Sequence, residues 1–403
     1  FPSIPIAQYD LQTYVTNKPW NAIGWTPMYF YPFVIGLGFL LPVDLLFSCW
    51  FFYLFWKLQK IISNAAAWDA TPDFPFISNQ VFGACIGLFV ALMWTGRGYL
   101  RQVWLAILGK PGELTHIREA MSYRMAFTGL GLGLVALIVF SLAAGMSLAM
   151  ALLFFIVYFI ICFVVTRIRA ELGSPVHDFH TMGPDLMITS MMGSRGVADR
   201  DLGMLALYWW FNRAYRSHPM PHQMEALKLS DRAHLDSRRM VVAIMLAAAV
   251  GGFVSMWVFI HLGYQLGTAS KFWSGYWYGY EIYNRLQGWI ESPTPPNVQA
   301  NWAILMGMLF SVFLMAMRAR FFWWPFHPIG YAVSGSWSIN LVWVPLFISW
   351  LLKLLVLRYG GLPAYRKALP FFFGLILGEC AIGPLWSAVG IILGVPTYNF
   401  WGG

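Results

Sequence analysis

MAFTGLGLGLVALIVFSLAAGMSLAMALLFFIVYFIICFVVT (125–166) contains no Asp, Glu, Lys or Arg. At about 1.5 Å of rise per residue, one continuous helix through it would reach roughly twice the 30 Å of a bilayer's hydrocarbon. Two apolar helices fit instead, with SLAAGMS around Gly145 as the tight turn that joins them. The rest of the chain is written in the same alphabet. Of 403 residues, 59% are hydrophobic, 18% aromatic and 11% charged, against roughly 25% charged in a soluble domain. The fold class is therefore all-α: a polytopic transmembrane helix bundle, with 1–403 as a single integral membrane domain.

Working outward, residues 28–56 form an apolar run with one charge, Asp44. A second run, about 80–96, continues into GRGYLRQVWLAIL. Residues 240–267 read as a span broken at Gly251-Gly252 and carrying His261, and 298–317 as one ending at Arg318 and Arg320. The stretch 321–352 has no formal charge, but Pro325, Pro328 and Ser334-Gly335-Ser336 interrupt it. A short or re-entrant piece at about 327–337, followed by a helix from about 339, satisfies that pattern. The last run, 368–395, carries one charge, Glu379. This gives about eight membrane segments, one of them broken or re-entrant.

The net charge is +9. In a membrane chain this excess belongs to cytoplasmic loops and anionic headgroups, so the bilayer, and no nucleic acid, is the expected partner. Residues 167–239 hold ten Lys/Arg, eight Asp/Glu and five of the eight histidines. The positive-inside rule makes this a large cytoplasmic loop, in which LGMLALYWWFNRAYR (202–216) reads as an interfacial helix. Residues 268–300 then form an aromatic-rich loop on the opposite side. The four cysteines lie in apolar stretches without CxxC spacing, which excludes a disulfide framework or thiolate metal site. The chain starts at Phe1 and reads as processed or as the later part of a longer chain.

Asp44 and Glu379 are the sharpest candidates for chemistry. Each stands alone in an apolar run, beside Pro42 or beside Gly378, Gly383 and Pro384. At the centre of a spanning helix a carboxylate costs about 2.5–3.5 kcal/mol, so such residues are candidates for proton or cation coupling. The competing reading is a structural carboxylate bonded to a neighbouring helix. RAELGSPVHDFHTMGPD (169–185) brings His177, Asp178, His180 and Asp185 together as a gate or substrate mouth. His-x-x-His there also suits a divalent cation, but no further ligands complete the set, and a polar cap on the preceding span explains it as well. His327 and Asn340 flank the broken segment, on the substrate path or as interhelical hydrogen-bonding groups. Walker A, GxGxxG, GxSxG and CxxCH motifs are all missing, which leaves ATP-driven pumping, covalent haem and serine hydrolysis without support. No cofactor is identifiable.

Three blocks carry a likeness: YPFVIGLGFLLPVDLLFSCWFFYLFWK (31–57), RAELGSPVHDFHTMGPD (169–185) and LPFFFGLILGECAIGPLWSAVGI (369–391). The chain resembles a family of bacterial polytopic membrane proteins labelled as relatives of the oligopeptide transporter (OPT) superfamily. The likeness runs over nearly the whole chain and corresponds to the C-terminal part of those proteins. It implies a transporter-like fold in the bacterial inner (cytoplasmic) membrane and assigns no residue a role. The expectation is a non-enzymatic secondary transporter for a small polar, peptide-like solute, coupled to protons or cations. Its alternative is a scaffold subunit among membrane-protein partners or in a homo-oligomer. A third reading is a membrane enzyme using the 177–185 group on a lipid-linked substrate.

Overall fold

The structure, a computed structural model, describes residues 9–116, 119–173, 178–267 and 271–395. In chain order its helices begin with α1 (Pro32–Leu40), α2 (Val43–Ala65), α3 (Ile77–Thr95), α4 (Arg97–Leu108) and α5 (Tyr123–Ala143). There follow α6 (Leu148–Leu172), α7 (Pro184–Met192), α8 (Asp199–Asn212), α9 (Pro219–Arg232) and α10 (Ser237–Leu266). The last are α11 (Trp273–Glu291), α12 (Val298–Arg320), α13 (Pro328–Val333) and α14 (Ile339–Leu393). The strands are two-residue pieces, β1 (Tyr9–Asp10) and β2 (Pro27–Met28), paired antiparallel. Among the described residues seven helices (α2, α3, α5, α6, α10, α12 and α14) are long and apolar enough to cross a membrane. The protein is an all-α integral membrane protein.

At 55 residues, α14 would run about 80 Å if straight, far beyond one crossing. Gly361 breaks it, with φ 60° and ψ −162°. Both limbs touch the same two turns of α1. A Cβ on Gly38 would stand 2.5 Å from Ser349 Oγ, and one on Gly36 would stand 2.5 Å from the Phe372 carbonyl oxygen. Residues 349 and 372 meet one short helix only if the chain doubles back between them. The limbs are thus a helical hairpin, and among the described residues the seven candidate spans, one of them doubled, give eight, the number the sequence predicts.

The chain divides into two compact units. One comprises 1–84, 171–179 and 303–403; the other comprises 85–170 and 180–302. In the first, the single run expected over 28–56 is split. Leu41 is extended, as the residue before a proline prefers, so α1 stops and Pro42 leads into α2. The broken piece expected at 327–337 is α13, which is buried throughout and starts with Pro328 at its first position. Phe52 and Trp56 of α2 pack on Tyr331 of α13. Tyr53 stacks on Trp343 of α14.

In the second unit, α5 and α6 flank the turn at Gly145, where φ is +99°. Phe154 and Phe155 of α6 form a core with Leu202, Leu205 and Tyr208 of α8. Three expectations change here. The segment 202–216 belongs largely to a buried helix, α8, because Asp201, Tyr208 and Asn212 face inward with its apolar residues. The Asp201 carboxylate accepts from Ser147 N (2.6 Å) and Ser147 Oγ (2.8 Å), holding the start of α6. The 268–300 segment contains α11, whose exposed Tyr276, Tyr280 and Tyr283 recur at helical spacing. Helix α10 runs unbroken through Gly251-Gly252 and has no buried residue. An apolar solvent penalises opening any backbone hydrogen bond, so two glycines do not suffice to break it.

Candidate functional site

In the first unit, two sets of ionisable groups are assembled on helix ends. The first holds α1. The Phe33 N–H, one of the unpaired donors of its first turn, donates to Glu379 Oε2 at 2.8 Å. At the other end Lys353 Nζ donates to the carbonyls of Phe39 (2.9 Å) and Leu41 (2.7 Å). An acid from the second limb of α14 therefore meets the positive end of the helix dipole, and a lysine from the first limb meets the negative end. Between them Phe39 stacks on Phe372, with ring centroids 3.6 Å apart. Glu379 is thus tied to backbone.

The second set is a chain of four side chains. Asp44 stands in the first turn of α2, not midway along a span. Its Oδ2 accepts from Arg318 Nη2 at 2.9 Å, and Arg318 ends α12. Arg318 Nη1 lies 2.6 Å from His327 Nε2. The same Nε2 lies 3.2 Å from Glu171 Oε2, near the end of α6. His327 is 3% exposed, whereas the Asp44, Arg318 and Glu171 side chains are 31%, 43% and 23% exposed. A buried imidazole thus links partners that reach water.

The ring is fixed by α13, which it caps. His327 Nδ1 accepts from Ile329 N–H at 3.2 Å, and the His327 N–H donates to Ser48 Oγ at 2.6 Å. With Nδ1 accepting, a neutral ring carries its proton on Nε2 and donates it to Glu171. The Arg318 guanidinium offers its own proton to the same atom. One nitrogen cannot serve both partners in one protonation state. The location of a single proton therefore selects which of them His327 binds.

The other residues expected at a site are placed as follows. Asn340 accepts from Tyr53 Oη (3.0 Å) and donates to the Trp337 carbonyl (2.9 Å), locking α2 to the start of α14. Asp178 is buried in the first unit, and its carbonyl accepts from Trp337 N–H at 2.9 Å. His177 lies outside the described residues. His180 and Asp185 belong to the second unit. Burial, then Arg213 and Arg216, push His180 down to about 4. Asp185 is fully buried in the first turn of α7, and Arg285 Nη1 donates to its Oδ2 at 3.0 Å. Burial raises its carboxyl to about 6 against the opposing pull of Arg285. Among the described residues no three His, Cys, Asp or Glu side chains converge on a metal position.

The structure brings Asp44 and His327 into one network and keeps Glu379 in another. Sequence reading missed Arg318, Glu171, Lys353 and Arg285 as partners. The signal available was positional: Arg318 ends a span just before the broken segment, and Lys353 is a single cation following a charge-free stretch.

No curated protein and no solved structure is significantly similar to the chain. Nothing in these comparisons links it to the oligopeptide transporters. A family model does match, over residues 1–402, and the chain belongs to that family, described as a family of unknown function (DUF6785).

Proposed function

We propose that the protein is a secondary transporter that moves a small polar solute, peptide-like in the reading its sequence resemblance favours, and couples this movement to protons in a bacterial cytoplasmic membrane. The observation that carries this is the Asp44–Arg318–His327–Glu171 chain, in which two partners compete for one imidazole nitrogen. A proton on Nε2 bonds His327 to Glu171. Uptake of a second proton, on Nδ1, costs the Ile329 bond, leaves the cationic ring bonded to Glu171 and repelled by Arg318, and loosens the start of α13. Proton uptake and the seating of a short buried helix are thereby coupled, which is what a proton-driven alternation needs.

The test is uptake into proteoliposomes with labelled di- and tripeptides, with and without an inward proton gradient. The wild type accumulates a substrate only with the gradient, while His327→Gln equilibrates it without accumulation. Equal accumulation by wild type and His327→Gln would sink the coupling role. A second reading, a non-catalytic scaffold subunit, draws on α10, an apolar helix with no buried residue along its length. Purification in mild detergent separates the two, because a scaffold comes out as a stoichiometric heteromer.

A further inference from the structure

Where α7 packs on α8, the second unit buries several polar side chains in one place. Asp185 and Asn212 are 0% exposed, and Trp209 and Tyr215 are 3% exposed. Asp185 Oδ1, both polar atoms of the Asn212 amide, Trp209 Nε1 and the Tyr215 hydroxyl have no hydrogen-bond partner. Folded proteins rarely leave even one buried polar atom unpaired, so such a group points to something that binds among them. The two side-chain oxygens converge on Gly183, the residue before α7. A Cβ there would collide with Asp185 Oδ1 and stand 2.7 Å from Asn212 Oδ1. Both oxygens accept, and an ionised carboxylate has no proton to offer, so they cannot satisfy each other.

Tyr215 brings a third oxygen. Burial first, then Cys162, Tyr158 and Asp185, raise its phenol well above the ordinary range, which keeps it a neutral hydroxyl. Its φ of +39° is a left-handed position that a tyrosine holds at a cost. Charge decides what kind of group fits these oxygens. Asp185 Oδ2 accepts from Arg285 at 3.0 Å, and Arg285 also lies 3.9 Å from Glu281 Oε2. Arg285 is the cation that acts on the Asp185 carboxyl. Two acids thus share one guanidinium, and the set has one negative charge in excess. An anion would add to that excess. A monovalent cation cancels it, whereas a divalent one would overshoot within a desolvated site. Ligand sets made of oxygen alone suit hard cations.

We propose that Asp185 Oδ1, Asn212 Oδ1 and the Tyr215 hydroxyl oxygen hold a monovalent alkali cation. Waters of its shell complete the coordination and accept from Asn212 Nδ2 and Trp209 Nε1. Gly183 is required, because any side chain there would fill the cradle. The site uses residues of the second unit alone and takes no part in the His327 chain, so either reading can fail without the other.

The full chain is purified in mild detergent with choline as the bulk cation. Binding of radioactive sodium, and of radioactive rubidium in place of potassium, is measured by scintillation proximity. One of the two binds at about one ion per chain, raises the melting temperature, and is displaced by its unlabelled salt but not by choline. Tyr215→Phe removes a hydroxyl that makes no hydrogen bond. Its melting temperature in choline therefore holds, while its affinity for the ion falls about tenfold. Asn212→Leu removes the amide at nearly constant shape and abolishes binding. The competing reading is that the Asn212 amide turns over and donates Nδ2 to Asp185. Neither ion then binds, and Asn212→Leu melts well below wild type in choline. That result, or wild-type affinity in both Tyr215→Phe and Asn212→Leu, overturns the proposal.

Discussion

The two units each contain an acid held by an arginine, and the settings are opposite. Asp185 is sealed, with one carboxylate oxygen on Arg285 and the other, Oδ1, buried without a partner. Asp44 is open, one member of a chain whose outer groups reach water. In the sealed pair, desolvation outweighs the attraction of the arginine, and the carboxyl rises to about 6. In the open chain, water screens the outer charges, and the protons on the buried His327 ring decide which partner it takes. Pairing an acid with an arginine therefore has no fixed worth. Burial makes it costly to break, and exposure leaves it free to exchange.

The contrast can be broken in four ways, from the largest expected effect to the smallest. Arg285→Leu leaves Asp185 buried without its cation and should cost about 3–5 kcal/mol, read as a lowered melting temperature in detergent. Adding Asp185→Asn to that variant should recover much of the loss, since the uncompensated charge is removed. The third test is pH. A carboxyl whose folded value is raised from its ordinary 3.8 to about 6 binds more protons folded than unfolded between those values. Its contribution is therefore fully present below 3.8 and lost as pH rises through about 6, by on the order of 3 kcal/mol. Wild-type stability should fall from pH 5 to 7.5 relative to Asp185→Asn. The smallest effect is Asp44→Asn, below about 1 kcal/mol in stability, because an exposed ion pair contributes little. Solute accumulation should nevertheless drop. If Asp44→Asn destabilises as much as Arg285→Leu, the two settings are not different in kind.

Most of the spans were legible because apolar length is a local property. The charge-free 125–166 run yields α5 and α6 with their turn at Gly145, and the prolines around 325–328 announce α13. The partners were not legible. Arg318 reaches Asp44 across 274 positions of chain and Lys353 reaches the Phe39 carbonyl across 314. No periodicity encodes such meetings. Asp44 and Glu379 were conspicuous as single charges, yet what each touches depends on where Pro42 and Gly361 redirect the chain. The segment 202–216 misled for a related reason. Its aromatic and polar residues suit a membrane surface or a packed interior equally, and the Asp201 contacts with Ser147 place it inside.

The clamp on α1 has a consequence for how the protein is made. At nine residues this helix is about 14 Å long, roughly half of a bilayer's hydrocarbon thickness. The groups that satisfy its two ends lie more than 300 positions later, at 353 and 379. During synthesis α1 emerges long before either exists, and its open donors and carbonyls must remain in contact with water or headgroups until the final hairpin enters. The molecule therefore closes from its C-terminal end. A truncation before residue 339 should leave α1 accessible to water-soluble reagents, while the full chain protects it.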